Sequence, residues 1–271
     1  MRDTLKKWVK DTVTKFGFDG LRVDTTPEVK REFWKEYSEA AGVFTIGEVF
    51  NGNVNYVASY QGSALDATLN YPFYFTLRSV FAEKGSMSQI RTLLDTEKTV
   101  FQDHTLLGLF IDNHDNERWL HHNGSIKMLK NALAYVLSAE GIPIMYYGTE
   151  QAFNGGNDPD DREPLWPTGL KTDTEMYQFV KAINQARKSQ KWFEQAQVER
   201  YAEQSFYAFT RGDTLVVMTN DENQQITRTI TYSEYKGGIL TNIFDENDKI
   251  NVGDDGSYSV TINGEPKIYT Y

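Results

Sequence analysis

Residues 20–48 read GLRVDTTPEVKREFWKEYSEAAGVFTIGE, and this stretch decides the fold class. A short apolar strand, Gly20–Val23, ends at Asp24, and a second one, Val43–Gly47, ends at Glu48. Between them, apolar residues recur at helical spacing until a glycine, a residue type that commonly ends helices. A strand, a helix and a strand within about thirty residues form a βαβ unit, which predicts parallel pairing of the two strands.

The four residues after Asp24 predict where the intervening helix begins. Thr25 and Thr26 offer hydroxyl caps, Pro27 suits a first helical turn, and Glu28 places a negative charge at the positive end of the helix dipole. We therefore expect the helix to start within this segment.

The alternation of strands and helices continues towards the C-terminus. Further strands are predicted at residues 64–69, 106–111 and 142–146, and helices at residues 87–96 and 125–139 and from residue 173. These segments extend the parallel α/β pattern. From residue 198 the pattern changes to short β-rich segments separated by Gly, Asn and Asp turns, which predicts a small antiparallel sandwich.

Composition excludes several classes of function. The formal net charge of -10 disfavours binding to nucleic acid or anionic lipid, so we expect neither partner. The absence of cysteine excludes disulfides and thiolate chemistry. No apolar run approaches the ~20 residues of a membrane span, and the first seventeen residues form a charged amphipathic stretch instead of a signal peptide.

Carboxylates follow several of the predicted parallel strands. Asp24 and Glu48 end the first two strands, and Asp115 closes the cluster DNHD that begins at Asp112. In β/α barrels the C-terminal strand ends open onto one face, where active sites form. Glycoside hydrolysis needs one carboxylic acid to protonate the leaving oxygen and one carboxylate to attack or to activate water.

Residue types alone leave other interpretations open. A single aspartate after a strand is more often a helix cap than a catalyst, and Glu48 by itself fits a solvated loop. The cluster DNHD fits a metal site, because carboxylates and imidazole are common ligands. The four histidines of the chain match no metal-ligand spacing well. Spacing alone does not select between a glycosidase and a metallohydrolase.

Four ordered motifs resemble conserved blocks of the α-amylase family of glycoside hydrolases. They are GLRVD at residues 20–24, IGEV at 46–49, FIDNHD at 110–115 and GIPIMYYGTE at 141–150. The segment GGNDPDDRE at residues 155–163 also resembles the loop after the last strand of fungal-type α-amylases. The similarity runs from the first helix to residue 195, and the β-rich tail resembles the C-terminal domain of the family.

The resemblance implies a fold and two domains. Residues 1–197 would form the C-terminal part of a (β/α)8 TIM barrel, about strands 4 to 8, and residues 198–271 a small antiparallel all-β domain of the β-sandwich type. A complete family member has eight strands, so we expect this chain to be N-terminally truncated. Five parallel strands do not close such a barrel.

The resemblance also implies a reaction and the residues that perform it. The activity would be cleavage of internal α-1,4-glucosidic bonds of starch- or glycogen-type glucans by double displacement, with retention. Asp24 would be the nucleophile, Glu48 the general acid and base, and Asp115 the residue that binds sugar hydroxyls and favours the oxocarbenium-like transition state.

Four further residues are expected to bind substrate or to support the nucleophile. Arg22 should lie on the same strand face as Asp24 and keep it ionised. His114 would donate to a substrate hydroxyl, and Asp158 and Arg162 align with family residues that contact the sugar beyond the cleavage point.

The chain departs from the family pattern at Pro27 and Glu28, where the family usually has a Lys-His pair that contacts the leaving-group sugar. Calcium is the cofactor expected from the family, but most of its ligand positions are absent from this chain. No metal ligand is therefore assigned.

Other activities share parts of this pattern. An α-glucan transglycosylase or an oligosaccharide α-glucosidase has the same three acids, whereas a truncated, catalytically inactive sugar-binding homologue is a different class of protein. The loop at residues 155–163 favours endo action. By resemblance we expect a secreted protein, a monomer when complete, whose partner is an α-glucan.

Overall fold

The structure, a computed structural model, describes residues 1–271, which form two compact units. The first comprises Met1–Phe75 and Leu93–Leu109, and the second comprises Thr76–Thr92 and Phe110–Tyr271. None of the helices combines the length and the apolar character that crossing a membrane requires.

The helices and strands are numbered in chain order. The helices are α1 Arg2–Phe16, α2 Arg31–Ala41, α3 Val54–Ala58, α4 Tyr71–Leu77, α5 Ser88–Val100, α6 Trp119–His122, α7 Ile126–Ser138 and α8 Glu175–Ser189. The strands are β1 Gly20–Val23, β2 Phe44–Gly47, β3 Ala67–Thr68, β4 Gly108–Leu109, β5 Ile142–Pro143, β6 Gln197–Ala202, β7 Tyr207–Arg211, β8 Thr214–Met218, β9 Gln225–Thr231, β10 Ile239–Asn242, β11 Asp245–Asn251, β12 Ser257–Asn263 and β13 Lys267–Thr270.

The first unit is built on a parallel sheet with the order β1-β2-β3. Its strands pair in parallel, β1 with β2 and β2 with β3, as the βαβ pattern predicted. Helices α1 and α2 pack against each other through Val9, Val13 and Ala41. A second apolar cluster includes Val23 at the end of β1 and Leu107 just before β4, so the strand ends that carry polar residues rest on a packed core.

The helix after β1 begins later than predicted. Residues Thr26–Glu28 form a single 3₁₀ turn, Val29 is extended, and α2 starts only at Arg31. Tertiary contacts hold this turn, because the indole Nε1 of Trp34 donates to the carbonyl of Thr26 at 2.8 Å. The threonine side chains make no capping hydrogen bond there. A helical turn does begin within residues 25–28, as predicted, but the α-helix itself starts only at Arg31.

Three predicted strands are much shorter in the structure. Strands β3, β4 and β5 have two residues each. The chain just before β4 forms a 3₁₀ helix at His104–Leu106, which takes up the start of the predicted strand.

Helices α3 and α4 were not predicted. Helix α4 is rich in aromatic residues. Asn70, the residue before its first turn, accepts the N–H of Phe73 at 3.1 Å, a local cap that hydrophobic periodicity does not reveal.

The C-terminal half of the second unit is antiparallel, as predicted. One sheet has the strand order β11-β10-β13-β8-β7-β6, and β12 pairs with β9. Buried side chains from both sheets share one apolar core, which includes Leu215, Val217, Val260 and Ile262. Strands β6 and β11 are the edges of the larger sheet. The boundary at residues 197/198 stays a prediction.

Glu97, in helix α5, is a buried carboxyl group without a matching charge. Its side chain is 2% exposed, and Oε1 has no hydrogen-bond partner. Burial raises the pKa of Glu97 to about 8, because the apolar surroundings disfavour the ionised form.

We expect Glu97→Gln to increase the free energy of unfolding at about pH 8 and to change it little near pH 4.5. The unfolded chain releases this proton near pH 4.5 and the folded chain only near pH 8, so stability falls as the pH rises between these values. Urea unfolding at both pH values measures the difference, which is at most roughly 4 kcal/mol. Asp95→Asn, on the exposed face of α5, is the matched control. An unchanged pH dependence in Glu97→Gln would contradict the assignment.

Candidate active site

The register of β1 and β2 places two carboxylates side by side. Val23 pairs with Gly47, so Asp24 and Glu48 are the first residues beyond the paired strands. The pairing continues one step further, since the N–H of Glu48 donates to the carbonyl of Val23 at 2.8 Å. Parallel strands expose their C-terminal ends on one edge of a sheet, and both side chains occupy that edge.

Arg22 contacts both of these carboxylates. Its Nη1 donates to Oδ1 of Asp24, and its Nη2 lies 3.2 Å from Oε1 of Glu48. The hydrogen bond from Arg22 holds the pKa of Asp24 below its usual value of 3.8. The structure therefore brings together three residues that the sequence singled out. Their catalytic roles stay predictions.

The two carboxylates have different surroundings. The side chain of Asp24 is 70% exposed, and that of Glu48 is 11% exposed. Glu48 accepts the backbone N–H of Thr25 at 3.2 Å and the hydroxyl of Tyr71 at 3.1 Å. Thr25 adopts a left-handed backbone, with φ 47°. Asp24 is thus open to an incoming molecule, whereas Glu48 is held by directed donors.

Tyr71 is a site residue that sequence reasoning missed. It is 1% exposed, and its ring packs edge-on against Phe50 with the centroids 4.7 Å apart. The parallel pairing of β2 with β3 brings the chain after β3 beside Glu48. The available signal was the segment Asn70-Tyr71, which follows a predicted strand in the same way as Asp24 and Glu48 do.

In the second unit, the two aspartates of the segment DNHD have different environments. Asp112 is 3% exposed and accepts the N–H of Trp119 at 3.2 Å. Burial raises the pKa of Asp112. This residue anchors the segment. Asp115 is 44% exposed, which leaves its carboxylate available to a ligand.

Asp115 belongs to a polar group of four residues, all predicted from the sequence. His114 Nε2 lies 3.2 Å from Oδ2 of Asp115, and Arg162 Nη2 lies 3.4 Å from Oδ1. Arg162 also donates from Nε to the carbonyl of His114 at 2.9 Å. Asp158 completes the group, with Oδ1 3.3 Å from Nε of Arg162. The guanidinium therefore orders two carboxylates and one backbone carbonyl.

Arg118 is a second residue that the sequence did not single out. It is completely buried, its Nε donates to Oε2 of Glu163 at 3.1 Å, and its Nη1 donates to the carbonyl of Tyr147. The backbone N–H of Arg118 donates to the carbonyl of Gly155 at 3.0 Å. These contacts fix the ends of the loop that carries Arg162. Nothing in the sequence around Arg118 indicates that its side chain is buried.

Side-chain ligands for the calcium expected from the family do not cluster in this chain. Calcium takes six to eight oxygen ligands, with carboxylates prominent among them. The structure contains no group of three or more Asp, Glu, His or Cys side chains arranged to hold a metal ion. Asp24 and Glu48 are instead paired with Arg22, and Asp115 and Asp158 are paired with Arg162.

A family model supports the resemblance that the motifs suggested. The model described as "Alpha amylase, catalytic domain" matches residues 1–192. The chain therefore belongs to the alpha-amylase family.

Curated relatives show the same similarity over part of their length. Alpha-amylase 1 of Lipomyces kononenkoae is 44% identical over 190 residues, which cover 68% of this chain and 30% of that protein. Alpha-amylase 1 of Schwanniomyces occidentalis is 32% identical over 274 residues, which cover 97% of this chain and 53% of that protein. The chain thus spans about a third to a half of these two relatives.

Solved structures confirm the fold class. An alpha-amylase from Malbranchea cinnamomea superposes with a TM-score of 0.92 at 31% identity, over 99% of this chain and 59% of that one. An Anoxybacillus alpha-amylase gives a TM-score of 0.89 at 27% identity, over 99% and 62% of the two chains. The chain has the fold of the C-terminal part of a TIM barrel followed by an antiparallel all-β domain.

We expect Arg22→Ala to raise the pKa of Asp24 towards 3.8, because the hydrogen bond that stabilises the carboxylate is lost. A ¹³C NMR titration of the side-chain carboxyl resonance measures the change. Arg2→Ala is the matched control, since Arg2 pairs with Glu36 at 3.1 Å in the same unit. If Asp24 titrates identically in Arg22→Ala and the parent chain, the contact with Arg22 does not set its pKa.

Proposed function

We propose that this chain carries the catalytic carboxylates of a retaining α-glucan hydrolase that cleaves internal α-1,4-glucosidic bonds. The observation that carries the proposal is the contact of Arg22 with both Asp24 and Glu48. Contact of both carboxylates with one guanidinium favours the short separation of retaining enzymes, about 5–5.5 Å, over the longer one of inverting enzymes, about 6.5–9.5 Å.

Asp24 is the nucleophile in this proposal. Its exposure permits access to an anomeric carbon, and Arg22 favours its ionised form. Attack by a carboxylate oxygen forms a glucosyl ester on Asp24 as the bond to the leaving oxygen breaks. Water then cleaves the ester, and the two inversions together retain the anomeric configuration.

Glu48 is the general acid and base. It gives a proton to the leaving glycosidic oxygen in the first step and takes one from water in the second. The hydroxyl of Tyr71 suits both steps, because it donates to an ionised carboxylate and accepts from a protonated one. The N–H of Thr25 fixes the second carboxyl oxygen.

Asp115 and its neighbours bind the sugar. Asp115 accepts hydroxyl groups of the glucose unit and favours positive charge at the anomeric carbon. His114 donates to another hydroxyl, and Arg162 holds Asp115 and Asp158 in place. The extracellular location and the monomeric state of the complete protein stay predictions.

We expect Glu48→Gln to lower starch hydrolysis by about 10³-fold or more, the scale of losing a general acid and base together, with binding retained. The assay uses the chain completed with the N-terminal barrel units of the Malbranchea cinnamomea relative, and it measures reducing sugars. Glu39→Gln, on the exposed side of α2, is the matched control. Near-parental turnover by Glu48→Gln would remove Glu48 from this role.

We expect the 271 residues by themselves to hydrolyse starch weakly or not at all. The chain spans 59% of the solved relative, and five parallel strands do not close an eight-stranded barrel. The same reducing-sugar assay on the purified chain tests this expectation. Turnover equal to that of the completed protein would show that these residues suffice.

A further inference from the structure

A cavity of about 570 Å³ lies in the second unit, lined by residues of α7, α8, the β10–β11 turn and the β12–β13 turn. None of the carboxylates assigned to catalysis lines this cavity. Its volume falls within the range of about 300–1,000 Å³ that is usual for small-molecule sites. The chemistry of its walls indicates what it accepts.

One wall is aromatic and flat. The rings of Phe179 and Phe244 are nearly parallel, at 16°, with their centroids 4.9 Å apart. Phe179 is 7% exposed and supports the half-buried ring of Phe244. Phe244 occupies the β10–β11 turn, where its N–H donates to Oδ1 of Asn242 at 3.1 Å. One face of Phe244 is thus covered, and the ring is fixed beside the cavity.

The other walls carry charges that are already paired. Lys130 Nζ lies 2.6 Å from Oε1 of Glu175 and 3.0 Å from Oε2 of Glu265. Lys267 Nζ lies 2.8 Å from Oδ2 of Asp248. Each ammonium group has its counter-charge, so neither lysine offers a free cation to an anionic ligand. The paired carboxylates and ammonium groups still accept and donate further hydrogen bonds.

We propose that this cavity binds a neutral saccharide, a short segment of α-glucan, at a site separate from the candidate active site. A pyranose ring has an apolar C–H face, which packs on the ring of Phe244, and hydroxyl groups at its edge, which hydrogen-bond to the paired carboxylates and lysines. The choice of α-glucan rests on the proposed function, whereas the preference for a neutral, hydroxyl-rich ligand rests on the cavity alone.

The test is an NMR titration of the ¹⁵N-labelled full chain with maltotriose. We expect the backbone amides of Phe244, Asp245 and Gln178 to shift in a saturable manner. Phe244→Leu keeps an apolar side chain but removes the flat face. It should raise the dissociation constant measured at these residues by about fivefold or more, the scale of one aromatic contact. Phe244→Tyr keeps the ring and should retain binding.

Two controls separate this site from other effects. Phe193→Leu makes the same substitution at a 63% exposed phenylalanine outside the cavity, and it should bind as the parent does. Thermal unfolding of each variant verifies that it is folded. Absence of shifts at the cavity in the parent, or equal affinity in Phe244→Leu and the parent, would overturn the proposal.

The outcome for this cavity is independent of the outcome for the proposed hydrolysis. Glu48→Gln should leave the shifts at Phe244 unchanged, since Glu48 does not line the cavity. Saturable binding at the cavity without hydrolysis by the completed protein would refute the proposed function and leave this site standing. Hydrolysis by the completed protein without shifts at the cavity would support the proposed function and refute this site.

Discussion

The guanidinium of Arg22, in contact with both Asp24 and Glu48, is the interaction on which the rest of the first unit's site depends. It exists because β1 and β2 pair in parallel with Val23 opposite Gly47. A shift of one residue in this register would turn Arg22 to the other face of the sheet. Asp24 and Glu48 would then lack this shared counter-charge, and the pKa of Asp24 would no longer be held below its usual value.

Asp24 and Glu48 share this cation, but they remain chemically distinct because their surroundings differ. Asp24 is exposed and depends on Arg22 for its low pKa. Glu48 is mostly buried and is oriented by Thr25 and Tyr71 as well. A nucleophile needs access and an ionised oxygen, whereas a group that moves a proton in both directions needs fixed geometry. The two environments supply these needs separately.

Much of this arrangement could be predicted from the sequence. The apolar runs that stop at Asp24 and Glu48 predicted where β1 and β2 end. The βαβ spacing predicted that the two strands pair in parallel. Tyr71 and Arg118 could not be predicted in this way. Their roles depend on burial and on contacts made by tertiary packing, and neither property is encoded by local periodicity. The late start of α2 has the same origin, because Trp34 holds the preceding turn through a tertiary hydrogen bond.

Covalent trapping tests the central claim, that Asp24 is the nucleophile, most directly. A ring-fluorinated α-glucosyl fluoride has a good leaving group and reacts without acid catalysis, while the fluorine on the ring slows release of the sugar. Mass spectrometry of the digested protein, completed with the same N-terminal barrel units as in the hydrolysis assay, then locates the sugar. We predict one fluoroglucosyl ester on the peptide that contains Asp24, and its loss in Asp24→Asn. A label on Glu48 or Asp115, or labelling that persists in Asp24→Asn, would contradict the account.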